Sequence, residues 1–472
     1  MLAELSHQAA PSIAADFHRP SYHFLPPSNW MNDPNGFIHW QGDYHLFYQY
    51  NPTGATWGNM HWGHTVSPDL IRWRHLPIAL LPSPGADESG CFSGCAVDDD
   101  GVPTFIYTGW QESSPTPQTQ CVATSRDGLL TWEKHPRNPV LSVIPPEAGQ
   151  NIDFRDPFVW REGDTWWMVL GSRQREEGGI VFLYRSADLV DWEYLGPLFE
   201  GTADRTGYVW ECPNFFPLGD KWVLMISAHP LPGQTNGFVY YFVGDYANHR
   251  FTPLTEGMLD YGAMYAPLTT LDVDGRRLLI GWIREQRSTD TMTLAGWSGA
   301  QSIPRVLTLD AHNRLQMKPV DALSNLATRQ HHITQQALDG ETTLPVEGLA
   351  LDLQAVFKPE ADGTAGLIVA CAADGHERTE VIYRAADHSL TVATHAPGED
   401  PRSQTIPHRL EDGEPLELRL LLDGSVLEII ANGRTSLVHR IYFSSPACNE
   451  VRLTGKRATL LTLDIREMAS IW

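Results

Sequence analysis

Basic side chains are scarce in this 472-residue chain: 34 Lys and Arg stand against 57 Asp and Glu, a formal charge of −23. So acidic a surface repels phosphate backbones and anionic lipid, which excludes nucleic acid and membrane as main partners and favours a neutral substrate. No run approaches the ~20 consecutive apolar residues that a membrane-spanning helix requires. The opening MLAELSHQAAPSIAADFHRP has neither a basic stretch nor an unbroken apolar one. It does not read as a secretory signal, so a cytoplasmic protein is expected. Cysteine is sparse too, with six residues scattered at 91, 95, 121, 212, 371 and 448. A chain long enough to bury large cores does not need disulfides, so free thiols are expected. Cys91 and Cys95 resemble half of a metal site that no second pair completes. His61 and His64, three apart on a strand-like segment, fall on opposite faces, and no metal is expected. Long amphipathic helices are missing from the first three hundred residues.

Aromatic residues, in contrast, make up a tenth of the chain, including 16 Trp. They supply large cores and also suit stacking on sugar rings. They recur in a pattern. SPDLIRW begins at Ser67, SRDGLLTW at Ser125, SADLVDW at Ser186 and a weaker echo, GDYANHRF, at Gly244, at intervals of 58, 61 and 58 residues. Ser and Asp so placed build turns by bonding back to the local backbone. Between the copies lie short alternating or aromatic-rich segments such as Tyr44–Tyr50, Thr104–Trp110, Thr165–Ser172 and Lys221–Ser227, which read as strands. An all-β unit of this length, repeated around a ring, is a β-propeller blade. A fifth unit from Asp260 onward makes the count five. From Met317 to Gln330 the pattern changes to a short helical linker. Alternating strands follow at Leu349–Phe357, Ala365–Ala372, Pro415–Gly433 and Ala458–Met468. These predict an antiparallel β-sandwich. The expected division is therefore propeller 1–316, linker 317–330 and sandwich 331–472.

Three acidic motifs fall in blade phase: WMNDPNG at Trp30–Gly36, FRDP at Phe154–Pro157 and WECP at Trp210–Pro213. Each opens its blade on the expected innermost strand, as CFSGC (Cys91–Cys95) opens blade two and the Asp260–Tyr265 segment blade five. Innermost strands converge on the propeller axis, so Asp33, Asp156 and Glu211 should line one funnel. Singly, NDPNG is a common turn, RDP an ordinary ion pair, and WEC uninformative. Together they match glycoside cleavage, in which one carboxylate attacks the anomeric carbon and a second carboxyl group protonates the leaving oxygen from about 5–5.5 Å away. Glu211, between Trp210 and Cys212 with two Asp nearby, suits the proton-holding acid. Asp33, held by Asn32 and turn amides, suits the ionised nucleophile. Arg155 should keep Asp156 charged.

With these four blocks the chain resembles glycoside hydrolase family 32, the invertase and fructanase family. Its hallmark segments correspond to Trp30–Gly36, Phe92–Cys95, Arg155–Pro157 and Glu211–Cys212. YQYNP from Tyr48, WGNMHWGHTVSPDLIRW and the late DGSVLEIIANG also have counterparts, so the likeness spans nearly the whole chain. The resemblance implies a five-bladed propeller with a C-terminal β-sandwich. It further implies Asp33 as nucleophile, Glu211 as acid/base and Asp156 as transition-state stabiliser. Asn32, Gln49, Trp57, Phe92, Ser93, Arg155 and Trp282 would line the fructose pocket. Three departures stand out: Cys95 replaces a usual Ser near the pocket, Tyr265–Leu271 lacks a frequent Gln, and Gly281–Thr289 continues unusually. The last two would lie towards the rim and bear on substrate preference.

The expected activity is that of a retaining β-fructofuranosidase on sucrose and short fructo-oligosaccharides, without cofactor. An exo-inulinase or levanase is an alternative. So is a sucrose-6-phosphate hydrolase, for which Arg284 and Arg287 are the candidate phosphate ligands. A related arabinofuranosidase or xylosidase is a third reading, which the NDPNG and FSGC blocks do not support. From another class, a catalytically silent fructan-binding protein would use the same funnel. Homo-oligomerisation is left open.

Overall fold

The computed structural model describes residues 13, 15–148, 153–174, 178–230, 237–398 and 402–472. The chain separates into two compact units. One comprises Phe24–Leu259 and Met264–Val320; the other comprises Asp260–Ala263, Asp321–Trp472 and residues 15–23.

The first unit is a five-bladed propeller whose sheets follow chain order, four main strands to a blade. Its innermost strands are Asn29–Trp40, Gly90–Asp99, Phe154–Glu162, Val209–Leu218 and Met264–Leu271. Each touches the next and the last touches the first, closing a ring. The ring is fastened where Trp297–Ser298 adds in parallel beside Asn29 and Trp30, so the late chain completes the first blade. Radial closure of this kind protects strand edges that would otherwise recruit other chains.

The Ser–Asp repeat explains how the blades are alike. Ser67, Ser125 and Ser186 place their hydroxyls 3.1, 3.0 and 3.0 Å from Asp69, Asp127 and Asp188. Those carboxylates then accept the N–H groups of Ile71 and Arg72, of Leu130 and Thr131, and of Val190 and Asp191. The turn holds Leu70, Leu129 and Leu189 at φ 68°, 66° and 63°. All three leucines are buried. Side-chain hydrogen bonds and apolar burial thus offset a left-handed backbone that leucine seldom adopts. The echo at Gly244 lacks the Ser–Asp lock and turns through Asn248 and His249, at φ 52° and 63°.

The second unit is one nine-stranded antiparallel sheet curled into a sandwich. Where the sequence pattern suggests separate strands at 349–357 and 365–372, a single 22-residue strand, Ala350–Cys371, runs through both. A register break between Pro359 and Thr364 marks the irregular stretch in its pairing with Glu450–Met468. Leu351, Leu353, Phe357, Leu367, Val381, Leu420 and Leu463 are among the residues that fill the core. Residues 15–23 belong here: His23 lies between Asp423 at 2.8 Å and Glu428 at 3.0 Å, all three buried. Asp260–Ala263, expected to open blade five, instead pairs within this unit through Tyr261 N–H to Ser436 O and Ala263 N–H to Val438 O. The strand that opens blade five begins at Met264. Over 317–330 the chain finishes one strand, makes a 3-10 turn at Asp321–Leu326 and starts the next strand at Ala327.

Candidate active site

Every innermost strand carries a bulge two or three residues after its start, where two residues face one on the neighbouring strand. Asn32 and Asp33 face Gln49, Phe92 and Ser93 face Thr108, and Asp156 and Pro157 face Leu170. Cys212 and Pro213 face Ile226, and Ala266 and Pro267 face Gly281. A bulge re-aims side chains out of the alternating pattern and tolerates proline, which has no N–H to give the ladder. The pre-proline residues Asp156, Cys212 and Ala266 sit at φ 62°, 45° and 47°. Their N–H groups are caught by Thr108 Oγ1 at 2.9 Å, Asp156 Oδ2 at 2.9 Å and Ser227 Oγ at 3.0 Å. Each strained position is thereby held by a group on the preceding blade.

These bulges bring the three acids together. The Cys212 thiol bridges two of them, 3.6 Å from Asp33 Oδ2 and 3.5 Å from Asp156 Oδ2. Ser93 Oγ donates to Asp33 Oδ2 at 2.7 Å and Asn32 Nδ2 to Oδ1 at 3.1 Å, while Trp30 Nε1 orients Asn32 from 2.6 Å. Arg155 sends Nε and Nη2 to Glu211 Oε1 at 3.0 and 2.8 Å. It approaches Asp156 only to 4.0 Å. Tyr265 OH at 2.7 Å and His229 Nε2 at 2.5 Å reach Glu211 Oε2.

The electrostatics of the site run opposite to the expectation from sequence. Burial pushes the Asp156 carboxyl up to about 7, with Arg155 opposing and the charges of Glu211 and Asp33 adding to the rise. Burial also raises Asp33, partly offset by Ser93 and Asn32 and reinforced by Glu211. Burial would raise Glu211 as well, but the Arg155 charge and the His229 and Tyr265 hydrogen bonds hold it well below the usual range. The reason is directional. Arg155 follows Phe154 on the strand and adjoins Asp156 in sequence, yet its guanidinium crosses to the next blade and pairs with Glu211. Carboxyl groups this close share their protons as a set.

The other expected pocket residues distribute around the acids. Gln49 is buried and donates to Cys91 O at 2.9 Å, bracing blade two against blade one. Phe92 stacks on Trp110 at 5.0 Å between centroids, and Trp57, 53% exposed, lies 6.1 Å from Phe92 and 5.9 Å from Trp110. Trp282 packs edge-on to Trp30 at 5.7 Å and Tyr265 at 6.4 Å, its indole N–H buried without a partner. Asn32, Ser93 and Arg155 hydrogen-bond the acids directly.

Two expectations need correction. Cys95 does not sit near the pocket: it is buried in an apolar cluster with Ile106, Val122 and Phe154, its thiol pushed up to about 12 by burial. Arg287 is not available as a phosphate ligand. Its side chain is buried, paired with Glu285 at 2.8 Å and lying over Trp297 at 4.5 Å. Arg284 lies over the Tyr265 ring at 5.0 Å. All six cysteines are free. No helix among the described residues is long and apolar enough to cross a membrane.

Sequence reasoning missed Tyr265 and His229 as partners of Glu211. Tyr265 carried a signal, since it precedes the blade-five bulge as Glu211 precedes that of blade four. His229 carried none in its own motif. It pairs opposite Val209, two residues before Glu211, so strand register alone brings the two side chains to one face.

Known proteins agree with this geometry. The description "Glycosyl hydrolases family 32 N-terminal domain" matches residues 23–319, and "Glycosyl hydrolases family 32 C terminal" matches 320–467. A sucrose-6-phosphate hydrolase of Escherichia coli is 34% identical over 446 residues, 90% of this chain and 89% of that protein. The crystal structure of fructan 1-exohydrolase IIa from Cichorium intybus superposes with a TM-score of 0.85 at 28% identity, covering 96% of this chain and 98% of that one. A Bombyx mori β-fructofuranosidase mutant in complex with sucrose does so with a TM-score of 0.81 at 32% identity, covering 96% and 95%. With both family domains matched end to end and relatives above 30% identity along nearly its whole length, the chain belongs to glycoside hydrolase family 32.

Proposed function

We propose that this protein is a retaining β-fructofuranosidase, releasing terminal non-reducing β-D-fructofuranosyl residues from sucrose and short fructo-oligosaccharides. Asp33 is the nucleophile, Glu211 the acid/base and Asp156 the group that grips fructose hydroxyls. The observation that carries this reading is the bridging of Asp33 and Asp156 by Cys212, with Glu211 one residue away and fully hydrogen-bonded. Asp33, fastened by Ser93 and Asn32, is aimed as an attacking carboxylate should be. It forms a bond to the anomeric carbon while Glu211 protonates the departing oxygen; water then reverses both roles. The aromatic group of Phe92, Trp110 and Trp57 offers faces for a sugar ring, and the half-exposed Trp57 suits the rim.

Arg284 beside Tyr265 supports a second substrate, a sucrose phosphorylated on its glucose, and the E. coli relative is named for that activity. The test is fructose release from sucrose, raffinose, inulin and sucrose-6-phosphate, with Asp33→Ala as control. Sucrose cleavage, cut at least ~10³-fold by Asp33→Ala, supports the proposal. No release from any of the four overturns it in favour of a silent binding protein.

A further inference from the structure

Glu211 has a crowded hydrogen-bond shell. Arg155 occupies Oε1 twice, and Tyr265 and His229 both reach Oε2. A carboxylate surrounded only by donors is a base. To act as an acid, Glu211 needs a neighbour that can hand it a proton and later take one back. Arg155 has no lone pair to offer. Tyr265 can accept as well as donate a hydrogen bond, but burial and the Glu211 charge drive its pKa well above the usual value, so it does not exchange its proton. Only an imidazole exchanges donor for acceptor near neutral pH. His229 ends the strand Lys221–His229, and its side chain is 51% exposed, so it also meets solvent.

We propose that His229 is a positioning residue acting through Glu211, and that their shared hydrogen bond stores the proton Glu211 delivers to the leaving group. This rests on the reading of Glu211 as the acid. In the first half-reaction the Nε2–H bond of the imidazolium breaks and an O–H bond forms at Glu211 Oε2. That proton passes to the glycosidic oxygen as its bond to the anomeric carbon breaks and the Asp33 bond forms. In the second half-reaction water gives a proton to Glu211 as its oxygen bonds to the anomeric carbon and Asp33 leaves. The proton then returns to Nε2, so one water is consumed and no proton is gained or lost.

The groups facing His229 fit this role. Glu211 and Tyr265 lie on the first strands of blades four and five, the Tyr265 ring 6.3 Å from the imidazole. Arg155 and Asp153 act from blade three, and Tyr208 donates its backbone N–H to the His229 carbonyl. The hydrogen bond to Glu211 raises the imidazole pKa by more than burial lowers it.

The test compares wild type, His229→Gln, His229→Asn and Glu211→Gln on sucrose and on an activated aryl fructoside, which needs little proton donation. Thermal unfolding checks that each variant is folded, and Asn serves if Gln fails that check. Expected for the His229 variant is a kcat on sucrose lower by about tenfold or more, a KM within about threefold, and a sucrose-to-aryl ratio lower by about tenfold. The alkaline limb of kcat/KM should move to lower pH, because the proton held on His229 in the wild type is then left to Glu211 beside Arg155, which binds it weakly. Equal losses on both substrates with an unmoved alkaline limb overturn the proposal. If Glu211→Gln spares the aryl substrate and the His229 variant does not, only the proton-sharing idea fails. If Glu211→Gln loses both substrates equally, the acid assignment itself fails, and this inference with it.

Discussion

Cys212 addresses a single oxygen of Asp156 twice, through its backbone N–H at 2.9 Å and its thiol at 3.5 Å. The thiol is buried among carboxyl groups, and burial followed by the charges of Asp156, Asp33 and Glu211 raises its pKa well above the ordinary value. The nucleophilic form is the thiolate. Cys212 should therefore react with iodoacetamide far more slowly than a small free thiol at pH 7, by about a hundredfold, and accelerate only in strong alkali. Mass-spectrometric labelling rates against pH check this. Fast labelling of Cys212 at neutral pH would show that the surrounding carboxyl groups do not hold the thiol protonated.

Thr108 holds the strained bulge of Asp156 from the neighbouring blade, accepting its N–H at 2.9 Å and donating to Gln120 Oε1 at 2.8 Å. Thr108→Val keeps the shape and removes both bonds, leaving a buried N–H and a buried amide oxygen each short of a partner. The expected cost is about 1–3 kcal/mol of stability, together with a kcat loss as Asp156 shifts. Denaturant unfolding and steady-state kinetics on the same preparation measure the two. Wild-type stability would show that Asp156 does not need this anchor.

Trp57 is exposed to solvent and rests against Phe92 and Trp110. Trp57→Ala should leave stability within about 0.5 kcal/mol, as surface substitutions usually do. Its effect should fall on substrate binding, with KM raised several-fold and kcat changed less. A kcat collapse with unchanged KM would place Trp57 in the chemistry instead of at the rim.

His23 is buried between Asp423 and Glu428. Burial alone would lower its pKa, but the two carboxylates raise it from 6.5 to about 9. A pKa higher in the folded than in the unfolded chain stabilises the fold fully below about pH 6.5, and that contribution is lost as pH climbs through about 9. On the order of 3 kcal/mol is involved. Urea unfolding at pH 6, 8 and 10 should show stability falling with pH, and His23→Leu should flatten the dependence while lowering stability at pH 6. A wild-type curve that is flat across this range would mean that His23 is neutral in the fold.

The ring was already legible in the order of residues. A turn of Ser and Asp recurring at a near-constant interval, with aromatic strands between, can bury its apolar faces only by radial repetition. The acidic blocks in phase with it had to meet at the axis. The five bulges were half legible, since Pro157, Pro213 and Pro267 each follow the residue that is re-aimed, but no local pattern announces the bulge at Phe92 and Ser93. Tertiary structure alone set which carboxyl pKa is pushed up and which is held down. Arg155 stands next to Asp156 in the chain and yet neutralises Glu211, because strand direction and the gap between blades, not adjacency, set where a guanidinium lands. It decided the partnership of His229 with Glu211 in the same way, through strand register. It also placed residues 15–23 and Asp260–Ala263 with the C-terminal unit, since backbone pairing and a buried His23 between two carboxylates are long-range bonds that no window of sequence contains.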